Sequence, residues 1–415
     1  MTIGVRHDDL RRRNRAMVIA AVRRASQPSR TEIALATELS NSTISAIASD
    51  LIAEGVLFEV KSGETALARR GRPQVALGLN PDFASVVAVV LTLNHLWTTL
   101  ISYDGRPADE EMVRLPTLTM GRDELVAAVT AGIRRIVARQ PRSAQRPHRI
   151  ALAIQGITDA ASTTLLWSPI TPHTDIPFSR LLEAEFGIPV TVQNDCNMIA
   201  VALKWRRPER YRDDFFAILL SNGIGMGLMQ KGKLFTGTHS SGGEFGHMIH
   251  KPHGALCRCG RHGCIEAYAG NYALVRAATG GDENGPPTAD IGEAEMEELA
   301  NAARANNGSE RAAFHKAGEA IGYGLGSLFA LFDPAPVAIV GPGAIAFDIM
   351  EGPIREAIAQ TAGGQHSGAI SFATETDEMP LIREGCAMTA LDYVDDRIAA
   401  PGPTVPTHQN GRQVA

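Results

Sequence analysis

Long apolar runs are missing from this sequence. No stretch approaches the ~18–20 consecutive apolar residues that a membrane-spanning helix needs, so a helical membrane protein is excluded. The opening "MTIGVRHDDLRRRNRAMVIAAV" sets arginines before a short apolar stretch. Arg23 and Arg24 then interrupt it where a small-residue cleavage site would fall, so it reads as a helix of the mature protein. Cysteine is scarce. Five in 415 residues, an odd number, argue against a disulfide framework and make the cytoplasm the default compartment. Excess positive charge is also lacking: the net charge of −5 gives no global attraction to nucleic acid or membrane, so any basic surface is local. Short tandem repeats are absent. At this length a single small core is excluded, and two or more domains are expected.

What is present begins with an amino-terminal module. Arg6, Arg11, Arg12, Arg13, Arg15, Arg23, Arg24 and Arg30 outnumber the nearby Asp8, Asp9 and Glu32. Residues 10–25 read as a helix with Val18, Ile19 and Val22 on its apolar side. Ser29 and Glu32 have capping-box spacing and open a second helix running to about Leu39. A third helix, capped by Ser40 or Asn41, buries Ile44, Ile47, Leu51 and Ile52, and Gly55 ends it. Ser42, Thr43 and Ser45 lie off that apolar face, where small polar side chains suit entry into a major groove. "VLFEV" and "QVALGLN" read as two strands around a turn that carries Arg69, Arg70 and Arg72, positioned for phosphate or minor-groove contact. Three helices and a basic hairpin predict a winged helix-turn-helix that binds double-stranded DNA. Its boundary falls near Pro81, giving a DNA-binding domain over 1–80.

Beyond residue 81 strands and helices alternate, which predicts an α/β domain over 81–398. The polar, proline-rich residues 399–415 have the composition of a disordered tail. Two strands meet at a turn near Asn94, and "VTVQNDCNMIAVALKW" passes from strand into helix. "FFAILLSNGIGMGLMQKGKLF" forms a hairpin with a glycine turn. The segment from His247 to Tyr268 concentrates Cys257, Cys259 and Cys264 with His247, His250, His253 and His262. A metal site, a disulfide knot and a reactive thiol centre all remain open on that composition. The residue pattern does not choose among the four histidines.

These motifs together resemble the ROK family (repressor, open reading frame, kinase), and most closely its sugar-responsive transcription factors. The resemblance rests on "QNDCN" at 193–197, "SNGIGMGL" at 221–228, "GGEFGH" at 242–247, "CRCGRHGCIEAY" at 257–268 and "FDPAPVAIVGPG" at 332–343. It implies a two-lobed, actin-like (ribonuclease-H-like) fold around a sugar cleft. It also implies one structural Zn2+ per chain, held by His247, Cys257, Cys259 and Cys264, a donor set that suits a closed tetrahedral site. Asn194, Asp195, Glu244, His247 and Glu266 are the implied sugar-binding residues. Carboxylates and amides fit adjacent hydroxyls well.

The family's kinases carry an Asp-x-Gly-Gly-Thr phosphate loop in the first hairpin. The matching stretch here is "VVLTLNHLWTTL": an acidic residue is missing at the strand end, and Leu93, Asn94 and His95 replace the small residues. The expectation is therefore a non-catalytic sugar sensor, with no catalytic residue. Its partners would be a DNA operator and a small sugar effector, with no membrane, in a homodimer or homotetramer. The alternative is an ATP-dependent sugar kinase with a fused DNA-binding domain.

Overall fold

The computed structural model describes residues 7–60, 75–139, 146–238, 242–286, 292–364 and 370–399. The wing tip with Arg69, Arg70 and Arg72, and most of the proline-rich tail, lie outside the described residues. No helix among those described is long and apolar enough to cross a membrane.

The amino-terminal module is built from α1 (His7–Ala25), α2 (Arg30–Thr37) and α3 (Asn41–Ala53), followed by β1 (Leu57–Val60) paired antiparallel with β2 (Ala76–Leu79). Local chemistry fixes its ends. The Ser29–Glu32 capping box forms in full at the start of α2. Ser40 caps α3 through the Thr43 N–H, and Gly55 at φ +77° follows its end. Ile44, Ile47 and Leu51 are buried beneath Val18, Ile19 and Val22.

The large domain holds two five-stranded sheets. The first comprises β3 (Ser85–Thr92), β4 (His95–Ser102), β5 (Pro107–Arg114), β6 (Ile150–Ile154) and, beyond the short hairpin β7 (Ile157–Thr158) and β8 (Leu165–Trp167), β9 (Val190–Asn194). The second comprises β10 (Phe215–Leu220), β11 (Ile224–Gln230), β12 (Lys233–Phe235), β13 (Val337–Val340) and β14 (Phe372–Glu375). Their strand orders are β5-β4-β3-β6-β9 and β12-β11-β10-β13-β14. Each sheet is thus an antiparallel meander continued by two parallel strands, so one topology occurs twice. That is the two-lobed, actin-like arrangement.

Strand alternation sorts the cores. In β3, Val87, Val89 and Leu91 pack outward under α4 (Arg122–Ala138) and α5 (Phe178–Phe186). Val86, Ala88 and Val90 face inward. In β10, Phe216, Ile218 and Leu220 face an outer helical layer. This layer contains α8 (Asn271–Ala278), reached through the single turn α7 (Glu266–Ala269), then α9 (Glu293–Ala305), α10 (Ser309–Phe332) and α11 (Phe347–Ala359). The inner faces are rich in alanine: Ala88, Ala151, Ala153, Ala217 and Ala338. Small residues there leave room for α6 (Asp195–Arg206) and α12 (Met379–Ala399) between the lobes. Gly385 of α12 sits so close to α6 that a Cβ would lie 2.0 Å from the Met198 carbonyl oxygen.

The sandwiched α12 also reaches the amino-terminal module. Its Leu391 and Val394 share a core with Val18, Ile19 and Val22 of α1. Arg23 of α1 donates through both amino groups to Asp395, at 2.5 and 3.0 Å. Tyr103 Oη donates to the same carboxylate at 2.7 Å. Burial works to lower the Arg23 pKa, but the Asp395 charge more than offsets it, so the guanidinium stays charged.

Several arginines that made the module look basic therefore have structural partners. Arg11 pairs with Asp50, Arg15 with Glu54, Arg30 with Glu59 and Arg23 with Asp395. Arg24 lies over the Trp205 ring. The local charge count overlooked acids distant in sequence. Arg13 stays exposed.

Candidate functional site: a carboxylate-lined cleft beside a cysteine cluster

Between the lobes lies a cavity of about 540 Å³, within the usual range for a small-molecule site. Asn194 and Asp195 enter it from the β9–α6 junction. Glu244 and His247 come from the single helical turn Phe245–His247 and its cap. Glu266 comes from the start of α7. The five residues expected to meet a sugar thus line one cleft.

Their surroundings differ. Asn194 caps α6: its Oδ1 accepts from the Cys196 and Asn197 N–H groups at 2.8 and 3.3 Å, and its Nδ2 donates to the Gly156 carbonyl. Much of its hydrogen-bonding capacity is committed to the fold. Asp195 is only 4% exposed and accepts from the Cys196 N–H at 2.9 Å. Burial pushes its carboxyl up to about 6, and the Glu244 charge adds in the same direction. Burial likewise raises the Glu244 carboxyl, with the Glu266 charge adding to it and His247 opposing it. Glu266 is 6% exposed, not a solvated helix-start residue. Its Oε2 accepts from the Ile224 N–H at 3.1 Å, and its Oε1 lies 3.5 Å from Cys257 Sγ.

Behind this wall the cysteines converge. One nitrogen of His247 and the sulfurs of Cys257, Cys259 and Cys264 all lie within 4.8 Å of one another. Cys259 Sγ is 3.8 Å from Cys264 Sγ, and Cys257 Sγ is 3.8 Å from His247 Nδ1. Sulfurs ~2.3 Å from a tetrahedral ion stand roughly 3.8 Å apart, so the spacing fits a metal. It is far too long for a disulfide, and all five cysteines are free. Gly263, at φ +85°, makes the reversal possible, since a Cβ there would lie 1.8 Å from the Lys251 carbonyl oxygen. Burial pushes the Cys264 thiol up to about 11, and it holds the Cys257 thiol higher still. A bound cation is what would keep such a group as thiolates.

The other histidines have different surroundings. His250 packs between Tyr268 and Tyr323, and His262 Nδ1 lies 3.0 Å from the Gly254 carbonyl oxygen. His253 is exposed at a positive φ. His247 Nδ1 faces the sulfurs, while its Nε2 lies 4.0 Å from Glu244 Oε2 on the cleft side.

The sequence model of one family, described as the ROK family, matches residues 95–382. The chain belongs to the ROK family. A xylose repressor of Caldicellulosiruptor bescii is 24% identical, over 85% of this chain and 89% of the relative. A glucokinase of Thermotoga maritima is also 24% identical, over 72% of this chain and 93% of its own length. Among solved structures, a ROK family transcriptional regulator, described as a homologue of the E. coli MLC protein, superposes with a TM-score of 0.74. The sequences are 21% identical, and the match covers 94% of this chain and 99% of the other. This likeness establishes the fold.

Thr92 and Leu93, in the turn matched to the kinase phosphate loop, line this ROK cleft. Arg258 and Glu378 line it too, and neither role was apparent in the sequence. Glu378 stands in "TETDEMP", where only the packing of α12 brings it to the cavity that Asp195 lines.

Proposed function

We propose that the protein is a sugar-responsive DNA-binding regulator, acting as a repressor of genes for carbohydrate uptake or breakdown, with a non-catalytic ROK domain. The observation that carries this reading is α12. Glu378, just before the helix, and its residues Met379 and Ile382 line the cleft, while Asp395 is locked to Arg23 of the winged helix. A ligand that changes how the lobes close around α6 and α12 therefore moves the element on which the DNA-binding module rests. The response is limited by the ligand's differential affinity for the two arrangements. In a homodimer or homotetramer, such movement alters the spacing of paired recognition helices, which must match a helical turn of ~34 Å or a multiple of it. The names of the repressor and regulator relatives agree with this assignment.

DNA contact is assigned to α3 and the wing. Ser42 and Ser45 are exposed on α3, free of its buried face. Thr43 is half-buried, and its hydroxyl lies 2.8 Å from Ser40 Oγ, so part of its capacity supports the helix cap. Arg69, Arg70 and Arg72 retain their assigned role as wing contacts, and the module is taken to span 1–80.

The cysteine cluster is assigned one structural zinc, held by His247, Cys257, Cys259 and Cys264. When bound, zinc supplies a rigid anchor for the 247–268 segment. His247 then presents Nε2 to the cleft in a fixed direction. Glu244, Glu266, Asp195 and Asn194 accept or donate to sugar hydroxyls around it.

Phosphoryl transfer is disfavoured at the β3–β4 turn. Asn94 takes the left-handed conformation, φ +62°, and its N–H donates to Thr117 Oγ1 at 3.2 Å, so it is not free to meet a phosphate. Leu93 projects into the cleft wall, and Thr92 stands at the strand end in place of a metal-binding acid. A coupled assay with ATP, magnesium and a panel of monosaccharides is expected to show no turnover above background. Turnover on the order of 1 s⁻¹, within the ordinary enzyme range, would overturn the sensor assignment.

A further inference from the structure

The charge of the cleft is one-sided. Asp195, Glu244, Glu266 and Glu378 all reach its wall, and Arg258 is the one lysine or arginine among its described lining residues, with His247 the one imidazole. Arg258 is exposed at the cleft and already engaged by the protein. Its Nη1 lies 3.5 Å from the Asn222 carbonyl oxygen, and its guanidinium sits 4.7 Å from the centre of the Tyr272 ring. A filled metal site would not restore balance, because three thiolates around a dication leave a net charge of about −1.

Glu378 gives this field a direction. It is half-buried, lines the same cavity as Asp195, stands immediately before α12, and no lysine or arginine pairs with it among the described residues. Burial raises its carboxyl to about 6, with its own backbone N–H opposing and Asp377, Asp195 and Glu293 adding to the rise. Glu378 thus adds a second acid to the wall that Asp195 lines, where a phosphate would be favoured by backbone N–H groups or a cation instead.

We propose that the cleft accepts an unphosphorylated sugar, neutral or bearing an amino group, and that Glu378 is the specificity-determining residue that turns phosphate esters away. This deepens the sugar-binding reading given above and rests on it. A phosphate monoester brings a charge of about −1.5 to −2 at neutral pH. Placed near Asp195 and Glu378, it meets like charges in a partly desolvated space, where repulsion is only weakly screened. A hydroxyl donates to either carboxylate, and an ammonium group is attracted by both.

The test uses the full chain and titration calorimetry with glucose, xylose, glucosamine, glucose 6-phosphate and glucosamine 6-phosphate. The parent of the better-bound pair is expected to bind at least ~30-fold more tightly than its 6-phosphate, a difference set by one unfavourable charge contact. Glu378→Gln preserves shape and removes the charge, so it should narrow that ratio by about tenfold. It should also reduce any preference for glucosamine over glucose. A 6-phosphate that binds as tightly as its parent would overturn the proposal while leaving the sugar-binding reading standing. An unchanged ratio in Glu378→Gln would remove Glu378 from the role. Failure of every sugar and every phosphate to bind would instead overturn the sugar-binding reading, and the proposal with it.

Discussion

Cys259→Ser is expected to leave the protein without zinc and to unfold the 247–268 segment, the largest single-residue effect that the structure implies. Serine is a poor zinc ligand, and a three-donor remnant loses most of a binding free energy that reaches ~10–16 kcal/mol in small structural sites. Only Ile265, with Met248 and Tyr268 beside it, ties the segment to the outer helical core. The local apolar cluster consists of Ala255, Cys257, Cys264 and Ala267, with Cys259 and Tyr268 at its edge. Two of its four buried members are themselves proposed ligands. Loss of the anchor should release His247 and Glu266 from the cleft wall, and with them the response to sugar. Elemental analysis of protein purified without chelator should give one zinc per wild-type chain and none for the variant. Amide exchange should show the loss of protection centred on 247–268. Cys386→Ser, at a buried cysteine outside the cluster, should retain the metal. Metal-free wild-type protein would contradict the assignment.

Asp395→Ala should destabilise the protein by about 3–5 kcal/mol, because it strands a buried arginine. The Arg23 side chain is only 2% exposed and that of Asp395 only 7%. Without the carboxylate, Arg23 retains the Tyr103 carbonyl oxygen at 3.2 Å, and Tyr103 Oη loses its acceptor. Replacing both charges, as in Arg23→Met with Asp395→Leu, should recover most of the loss, since an apolar pair of similar volume avoids the desolvation cost of the ions. Urea denaturation of the two variants measures both effects. A change below about 1 kcal/mol for Asp395→Ala, the level of an exposed pair, would show that α1 does not dock on α12 as described.

Local signals made much of this fold legible in the sequence. Ser29, Ser40 and Gly55 mark helix ends through short-range hydrogen bonds, and Asn94 marks the hairpin turn through its tolerance of positive φ. Both can be read from a few neighbouring residues. β5 escaped notice because it is an edge strand whose exposed "PADEEMVR" lacks the apolar run of a buried one. The importance of α12 was equally hidden. Its partners, Arg23 and Tyr103, lie 372 and 292 residues from Asp395, and no periodicity reports such a contact. Composition alone exposed the cysteine cluster, while motif resemblance singled out His247 beside it and four cleft carboxyl or amide groups. It did not show that Asn194 spends its side chain on a helix cap, nor that Glu378 lines the same cavity as Asp195. Those facts follow from packing between distant segments.

The central claim joins two activities in one chain: sequence-selective DNA binding and its control by a sugar in the ROK cleft. Duplex sequences selected by the protein from a random pool can be labelled, and their fluorescence anisotropy followed while unphosphorylated monosaccharides are titrated in. The account predicts selective binding that at least one such sugar shifts, by roughly 5–150-fold if the coupling is of ordinary size. Asp195→Asn should blunt that shift without abolishing DNA binding. A protein that selects no DNA sequence, or binds one with an affinity that no sugar changes, would contradict it.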